Sequence, residues 1–162
     1  MKILVLIWAP LGDTLFTTPS LKALRNGYPN AEINVLTTNN NKEIITDNKN
    51  INRIFIHKSF CKSVFLIRKL RKEKHDLILG LSERGSYLIP FFRAGIKTGF
   101  KYNLFKWIYN KKVPDNRNLH AVDYSLEIVK AVGGKPDKEV QMLIPFSKSH
   151  KKSVRDIMKQ HH

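Results

Sequence analysis

Residues 2–8, Lys-Ile-Leu-Val-Leu-Ile-Trp, form an almost unbroken apolar run. That is the pattern of a strand covered on both faces of a parallel sheet. Leu11-Gly12-Asp13 follows as a turn signal, with glycine there to let the backbone make a tight strand-to-helix connection. A helix is predicted over 14–25, with Leu15, Leu21 and Leu24 on one face. Pro19 removes one of its backbone hydrogen bonds and predicts a bend. Residues 32–36 alternate as a second strand, and Asn39-Asn40-Asn41 suits a loop and cap before a short helix through Ile44 and Ile45. A third strand is predicted over 52–57. A helix follows over 62–74, with Val64, Phe65, Ile67 and Leu70 on an apolar side and Lys62, Arg68, Lys69, Arg71, Lys72 and Lys74 on a basic one.

Further along, 76–81 reads as a fourth strand, 82–85 as a loop, 87–93 as a short helix despite Pro90, and 96–100 as a fifth strand. Residues 101–118 read as one long connection, mixing Tyr102, Phe105, Trp107 and Tyr109 with Lys101, Lys106, Lys111 and Lys112; loops of that length are often functional. A helix over 119–132 is stopped by Gly133-Gly134 and Pro136. Residues 141–145 read as a last strand or extended exit, and Ser147 as the cap of a final basic helix ending near residue 159. Strands alternating with helices predict an α/β fold: a parallel sheet with helices on both faces, joined by right-handed crossovers. Ligands of such sheets bind at the carboxyl ends of the strands. The loops after Trp8, Thr37, His57 and Leu81 should therefore share one rim.

Composition narrows the possible partners. The chain has 162 residues, of which 42% are hydrophobic and 10% aromatic, enough for one domain with a real core. Its formal net charge is +16. Such a field attracts nucleic acid, an anionic membrane face or a phosphorylated substrate, unless it only solvates the surface. The single cysteine, Cys61, excludes an internal disulfide framework and a cysteine-based metal site. A reducing compartment fits. The first apolar run is too short for a signal peptide, and no run approaches the roughly 20 residues of a membrane-spanning helix. His161 and His162 read as the remnant of a purification tag. His57, His75, His120 and His150 lack metal-ligand spacing. There is no Gly-x-Gly-x-x-Gly after the first strand, no Gly-x-x-x-x-Gly-Lys loop and no Gly-x-Ser-x-Gly elbow. No metal and no cofactor is expected.

Asp13 is the residue with the most chemical promise. A carboxylate at the rim of a sheet can accept a proton from a bound hydroxyl, and it is also a common helix N-cap. Spacing alone leaves both roles open.

The stretch 2–25, with Leu11-Gly12-Asp13 and then Thr17-Thr18-Pro19-Ser20-Leu21-Lys22-Ala23-Leu24, resembles the amino-terminal half of glycosyltransferase family 9, the lipopolysaccharide heptosyltransferases. Asp76-Leu77-Ile78, the segment from Arg93 through Phe100, and His120 with Leu126-Glu127-Ile128-Val129 and Gly133 extend the likeness along the chain. Two positions depart from the family pattern. Ile7-Trp8 stands where many relatives have an arginine, and Gly80 where many have an acidic residue.

The resemblance implies a Rossmann-like domain of the GT-B type and inverting transfer of a heptose from a nucleotide diphosphate sugar to the lipopolysaccharide inner core. Asp13, matching the family's aspartate, would be the base. The anionic acceptor would be met by Gly12 and Thr14 beside it, by Glu83 and Arg84 on the rim, by His120, and by Lys62, Arg68, Lys101 and Lys106 of the basic segments. Residues 1–146 would form the acceptor-side domain, and 147–160 a helix or the start of an interdomain linker. The domain that holds the nucleotide sugar would lie outside this chain, as in a truncated, split or degraded protein. The setting would be cytoplasmic, peripheral at an anionic membrane face. The competing readings are a non-catalytic basic module for nucleic acid or anionic glycolipid, and an inactive remnant of the family.

Overall fold

The computed structural model describes residues 1–59, 61–82, 84–100, 106–114, 116, 118–144 and 158. Its strands are β1 (Lys2–Ile7), β2 (Glu32–Thr38), β3 (Arg53–His57), β4 (His75–Gly80), β5 (Ala94–Phe100) and β6 (Lys111–Val113). They form one sheet in the order β3-β2-β1-β4-β5-β6, and every pair is parallel. The helices are α1 (Leu11–Phe16), α2 (Thr18–Gly27), α3 (Lys42–Ile45), α4 (Val64–Lys72) and α5 (Ala121–Ala131).

The two-residue period of the strands divides the core into two layers. Ile3, Val5, Ile7, Ile33, Val35, Leu77 and Leu79 pack with Leu21 and Leu24 of α2 and Leu126 and Val129 of α5. Leu4, Leu6, Leu36 and Ile78 pack on the other face with Ile67 and Leu70 of α4, and with Leu88, Ile89 and Phe92. Val5 sits opposite Val35 and Leu79. A one-residue slip would exchange the two layers, so the covering helices fix the register.

Several expectations need correction. The predicted helix over 14–25 is two helices, broken at Thr17. Pro19 has no N–H to offer the Leu15 carbonyl. The Thr18 hydroxyl donates to it instead, at 2.8 Å, and α2 begins with proline in its first turn. Helix α1 starts at Leu11, so Gly12 and Asp13 are helical rather than part of a turn. Pro10 is the N-cap residue. Gly12 has no left-handed φ, and a Cβ there would meet nothing within 4 Å; its conformational freedom is not what makes the connection. Phe65, predicted on the apolar side of α4, is 88% exposed. The connection over 101–118 contains a 3-10 turn (Lys106–Ile108) and the edge strand β6. The short helix predicted over 87–93 is a 3-10 helix, Ser86–Phe91. Residues 141–144 carry no strand, and the Leu143 N–H donates to Thr18 Oγ1 at 3.0 Å. The predicted carboxyl-terminal helix lies outside the described residues, apart from Met158.

Two buried histidines give the fold a pH dependence. Burial lowers the pKa of His57 and, as the largest of several effects, that of His75. His75 Nε2 lies 3.1 Å from the Leu70 carbonyl. Between the depressed native pKa and about 6.5 the unfolded chain binds more protons than the native one. Stability is therefore complete above about pH 6.5 and falls as pH drops below it, by at most about 1.4 kcal/mol per pH unit for each histidine. Urea unfolding at pH 7.5 and 5.5 should show this loss. His75→Gln, which cannot ionise, should remove its share.

Candidate active site

The strand order reverses direction between β1 and β4, and a cleft opens there at the carboxyl ends. The loop after β1 is held from three sides. The Trp8 N–H donates to Ser82 Oγ at 2.7 Å, the Asn41 side-chain amide donates to the Ala9 carbonyl at 2.8 Å, and the Thr14 hydroxyl donates to the Pro10 carbonyl at 3.1 Å. Thr14 is fully buried. Its hydroxyl braces the loop.

Asp13 lies in the first turn of α1 and makes no side-chain cap. Its side chain lines a cleft of about 360 Å³ together with Trp8, Phe16, Ser82, Arg84 and Tyr124. No hydrogen bond or ion pair to another described residue engages the Asp13 carboxylate or the Arg84 guanidinium. The result is an anion and a cation in one open cleft, neither paired among the described residues, with Ser125 of α5 forming part of the far wall. Ser125 and Ser20 share a 2.8 Å hydrogen bond, which ties that wall to α2.

The other predicted site residues are dispersed. His120 is the N-cap of α5, where Nδ1 accepts from the Val122 N–H at 3.3 Å. Its ring meets the edge of Phe16, with centroids 5.5 Å apart. It stands beside the cleft rather than in its lining. Gly12 is not in the lining of this cleft. Lys62 and Arg68 line neither this cleft nor its neighbour; they lie on the exposed flank of α4 and the turn before it. Glu83, Lys101 and the side chain of Lys106 lie outside the described residues. Among the described residues, no group of three or more His, Cys, Asp or Glu side chains gathers as a metal site would.

An aromatic cluster at the rim has no counterpart in the sequence reading. The Trp8 ring packs on His57 at 4.7 Å and on Tyr87 at 5.5 Å, and Tyr87 Oη lies 3.2 Å from His57 Nε2. Burial raises the Tyr87 pKa. Trp8 and His57 stand at or just past the carboxyl end of a strand, so rim position was the signal available for finding them, while Tyr87 comes from the 3-10 helix Ser86–Phe91. Gly80, the other departure from the family pattern, also has a structural reason. A Cβ there would come within 2.9 Å of Tyr109 Oη, and the Tyr109 hydroxyl donates to Ser86 Oγ at 2.8 Å. Tyr109 occupies the space that an acidic side chain would need.

A six-stranded parallel sheet in this order, with helices on both faces and a cleft at the switch, is a Rossmann-like domain. Comparison with known proteins leads to one group. No protein-family model matches the chain. Lipopolysaccharide heptosyltransferase 3 of Escherichia coli is 30% identical over 102 residues, covering 57% of this chain and 30% of that protein. The glycosyl transferase family 9 structure from Veillonella parvula superposes with a TM-score of 0.85 at 24% identity, over 99% of this chain and 49% of the other. The E. coli heptosyltransferase WaaC with ADP gives 0.77 at 19% identity, over 89% and 51%. The chain thus spans about a third of the curated relative's length and about half of the solved structures. The resemblance to the amino-terminal domain of glycosyltransferase family 9 holds in both sequence and fold.

Proposed function

We propose that this chain is the acceptor-binding half of an inverting glycosyltransferase that moves a heptose from a nucleotide diphosphate sugar to the lipopolysaccharide inner core. The observation that carries this reading is the unpaired Asp13 carboxylate in the switch-point cleft. An acceptor hydroxyl placed there gives its proton to Asp13, and its oxygen attacks the anomeric carbon. The bond to the diphosphate breaks on the opposite face, the nucleotide diphosphate leaves, and the configuration inverts. Arg84, in the same cleft, offers a cation to an anionic group of the acceptor. The donor belongs to a second half, a reading supported by the share of the WaaC structure with ADP that this chain spans, 51%. The test is transfer from nucleotide diphosphate heptose to core acceptor with a donor-binding half supplied. The account expects a product of inverted anomeric configuration; retained configuration would contradict it.

The outer face of α4 belongs to the same proposal as a contact with an anionic bilayer. Phe65 stands out at 88% exposure, with Arg68 and Lys69 one turn on and Lys62, Arg71, Lys72 and Lys74 exposed nearby. Among the described residues no acidic side chain pairs with any of these cations. Each basic group near an anionic membrane adds about 1 kcal/mol of attraction, and one buried aromatic ring adds an apolar contribution. Co-sedimentation should show binding to phosphatidylglycerol vesicles that salt weakens, and little binding to phosphatidylcholine. Phe65→Ser should cut the anionic affinity by roughly tenfold. Among the described residues no helix is long and apolar enough to cross a membrane.

A further inference from the structure

Beside the Asp13 cleft lies a second cavity of about 780 Å³, built by the loops after β1, β2 and β3. It shares Trp8, Ala9, Pro10 and Arg84 with the first, and adds Asn39, Asn40, His57 and Lys58. We propose that this cavity is a subsite for a phosphorylated sugar residue of the acceptor, next to the sugar that reacts. The inference rests on the transferase reading and specifies its substrate.

Three features of the lining point to this class of ligand. The first is a fixed aromatic platform. Trp8 is pinned by its backbone hydrogen bond to Ser82 and by the rings of His57 and Tyr87, so its indole is ordered before a ligand arrives. Aromatic faces of this kind hold the apolar face of a sugar ring. The second is charge. Lys58 and Arg84 are exposed cations with no partner among the described residues, and no acidic residue is found among the described residues of the lining. An anion entering here meets two positive groups, and hydrogen bonds to charged groups are the strong ones. The third is unspent hydrogen-bonding capacity. Asn39 and Asn40 present exposed amides. His57, only 2% exposed, has a buried Nδ1 without a hydrogen-bond partner. Asn41, by contrast, is used up in bracing the Ala9 carbonyl. Ring stacking, two cations and free amides together suit a sugar phosphate better than either a neutral sugar or inorganic phosphate.

The chain has two tryptophans. Trp107 is 71% exposed, so Trp107→Phe leaves Trp8 as the sole fluorescent reporter at little structural cost. This variant would be titrated with core oligosaccharide released by mild acid, with the same material after dephosphorylation in hydrogen fluoride, and with inorganic phosphate. The expected result is a saturable change in Trp8 emission with the phosphorylated oligosaccharide. Affinity should be roughly tenfold weaker after dephosphorylation, and the effect of inorganic phosphate weaker still. Lys58→Ala in that background should reproduce the tenfold loss, while Lys138→Ala, an exposed cation that lines neither cavity, should not. Equal affinity for both oligosaccharides, or equal losses from Lys58→Ala and Lys138→Ala, would overturn the subsite. A full Trp8 response without any transfer when a donor-binding half is supplied would leave the subsite standing and overturn the transferase reading. Transfer to phosphorylated acceptor with kcat/KM unchanged by Lys58→Ala would overturn the subsite alone.

Discussion

With a donor-binding half supplied, Asp13→Asn should lower transfer by about 10²–10⁴-fold, the usual contribution of a well-placed general base. The loss should fall on kcat, with KM little changed, because the asparagine keeps the size of the side chain and loses only the proton acceptor. Stability should hardly move. Asp13 is exposed and caps no helix, since Pro10 holds that position, and substitutions at such sites usually fall within about 0.5 kcal/mol. The capping role that the sequence left open makes the opposite forecast: a loss of about 0.5–2 kcal/mol in stability with transfer intact. Thermal melts and steady-state rates on the same variant separate the two roles. Near-normal turnover would remove Asp13 as the base.

The largest effect on stability is expected at Gly27, the last residue of α2. A Cβ there would lie 2.9 Å from Gly134 Cα and closer still to the Gly133 carbonyl oxygen. Both are backbone atoms, and no side-chain rotation relieves the clash. Helix α2 and the segment that ends α5 would have to part there, although α2 also bonds to α5 through Ser20 and Ser125, and the hydroxyl of Tyr28, just after α2, donates to the Val132 carbonyl. Overpacking of this kind costs about 1–3 kcal/mol or more, which outweighs the roughly 1 kcal/mol that alanine gains over glycine in a helix. Gly27→Ala should lower Tm by roughly 5 °C, at 2–4 °C per kcal/mol for a chain of this size. Gly12→Ala is the contrasting case. Its Cβ would meet nothing within 4 Å, so it should stabilise by about 0.5–1 kcal/mol. If both variants melt with the parent, the close approach of α2 and the Gly133 turn is not what this account describes.

The sheet was readable from sequence because β1 and the Leu77–Leu79 stretch of β4 are apolar runs buried on both faces, and β2 alternates apolar and polar residues at the period of a strand. Strand β6 was not readable. It has three residues, two of them exposed lysines, and only Val113 is buried. Its place depends on pairing with β5, a contact no local pattern announces. Phe65 was assigned to the apolar side of α4 because it is apolar. Helical geometry sets Ile67 and Leu70 on the core side and puts Phe65 opposite them. At the site, the motif around Asp13 is legible in sequence and Asp13 lines a cleft, but Gly12 and Thr14 acquired roles by adjacency alone. The structure gives Thr14 to the loop's internal hydrogen bonds and shows Gly12 in ordinary helix. The Trp8–His57–Tyr87 cluster joins three distant segments, and only the sheet brings them together.

The most direct test of the central claim uses the chain by itself. The ¹⁵N-labelled protein would be titrated separately with phosphorylated core oligosaccharide, with a nucleotide diphosphate sugar and with single-stranded DNA, following amide shifts. If this is the acceptor half, the oligosaccharide should move the signals of Asp13, Ser82 and Arg84, and the nucleotide sugar should leave them in place. Salt-dependent shifts with single-stranded DNA and none with the oligosaccharide would contradict the account and identify a basic nucleic-acid-binding module instead.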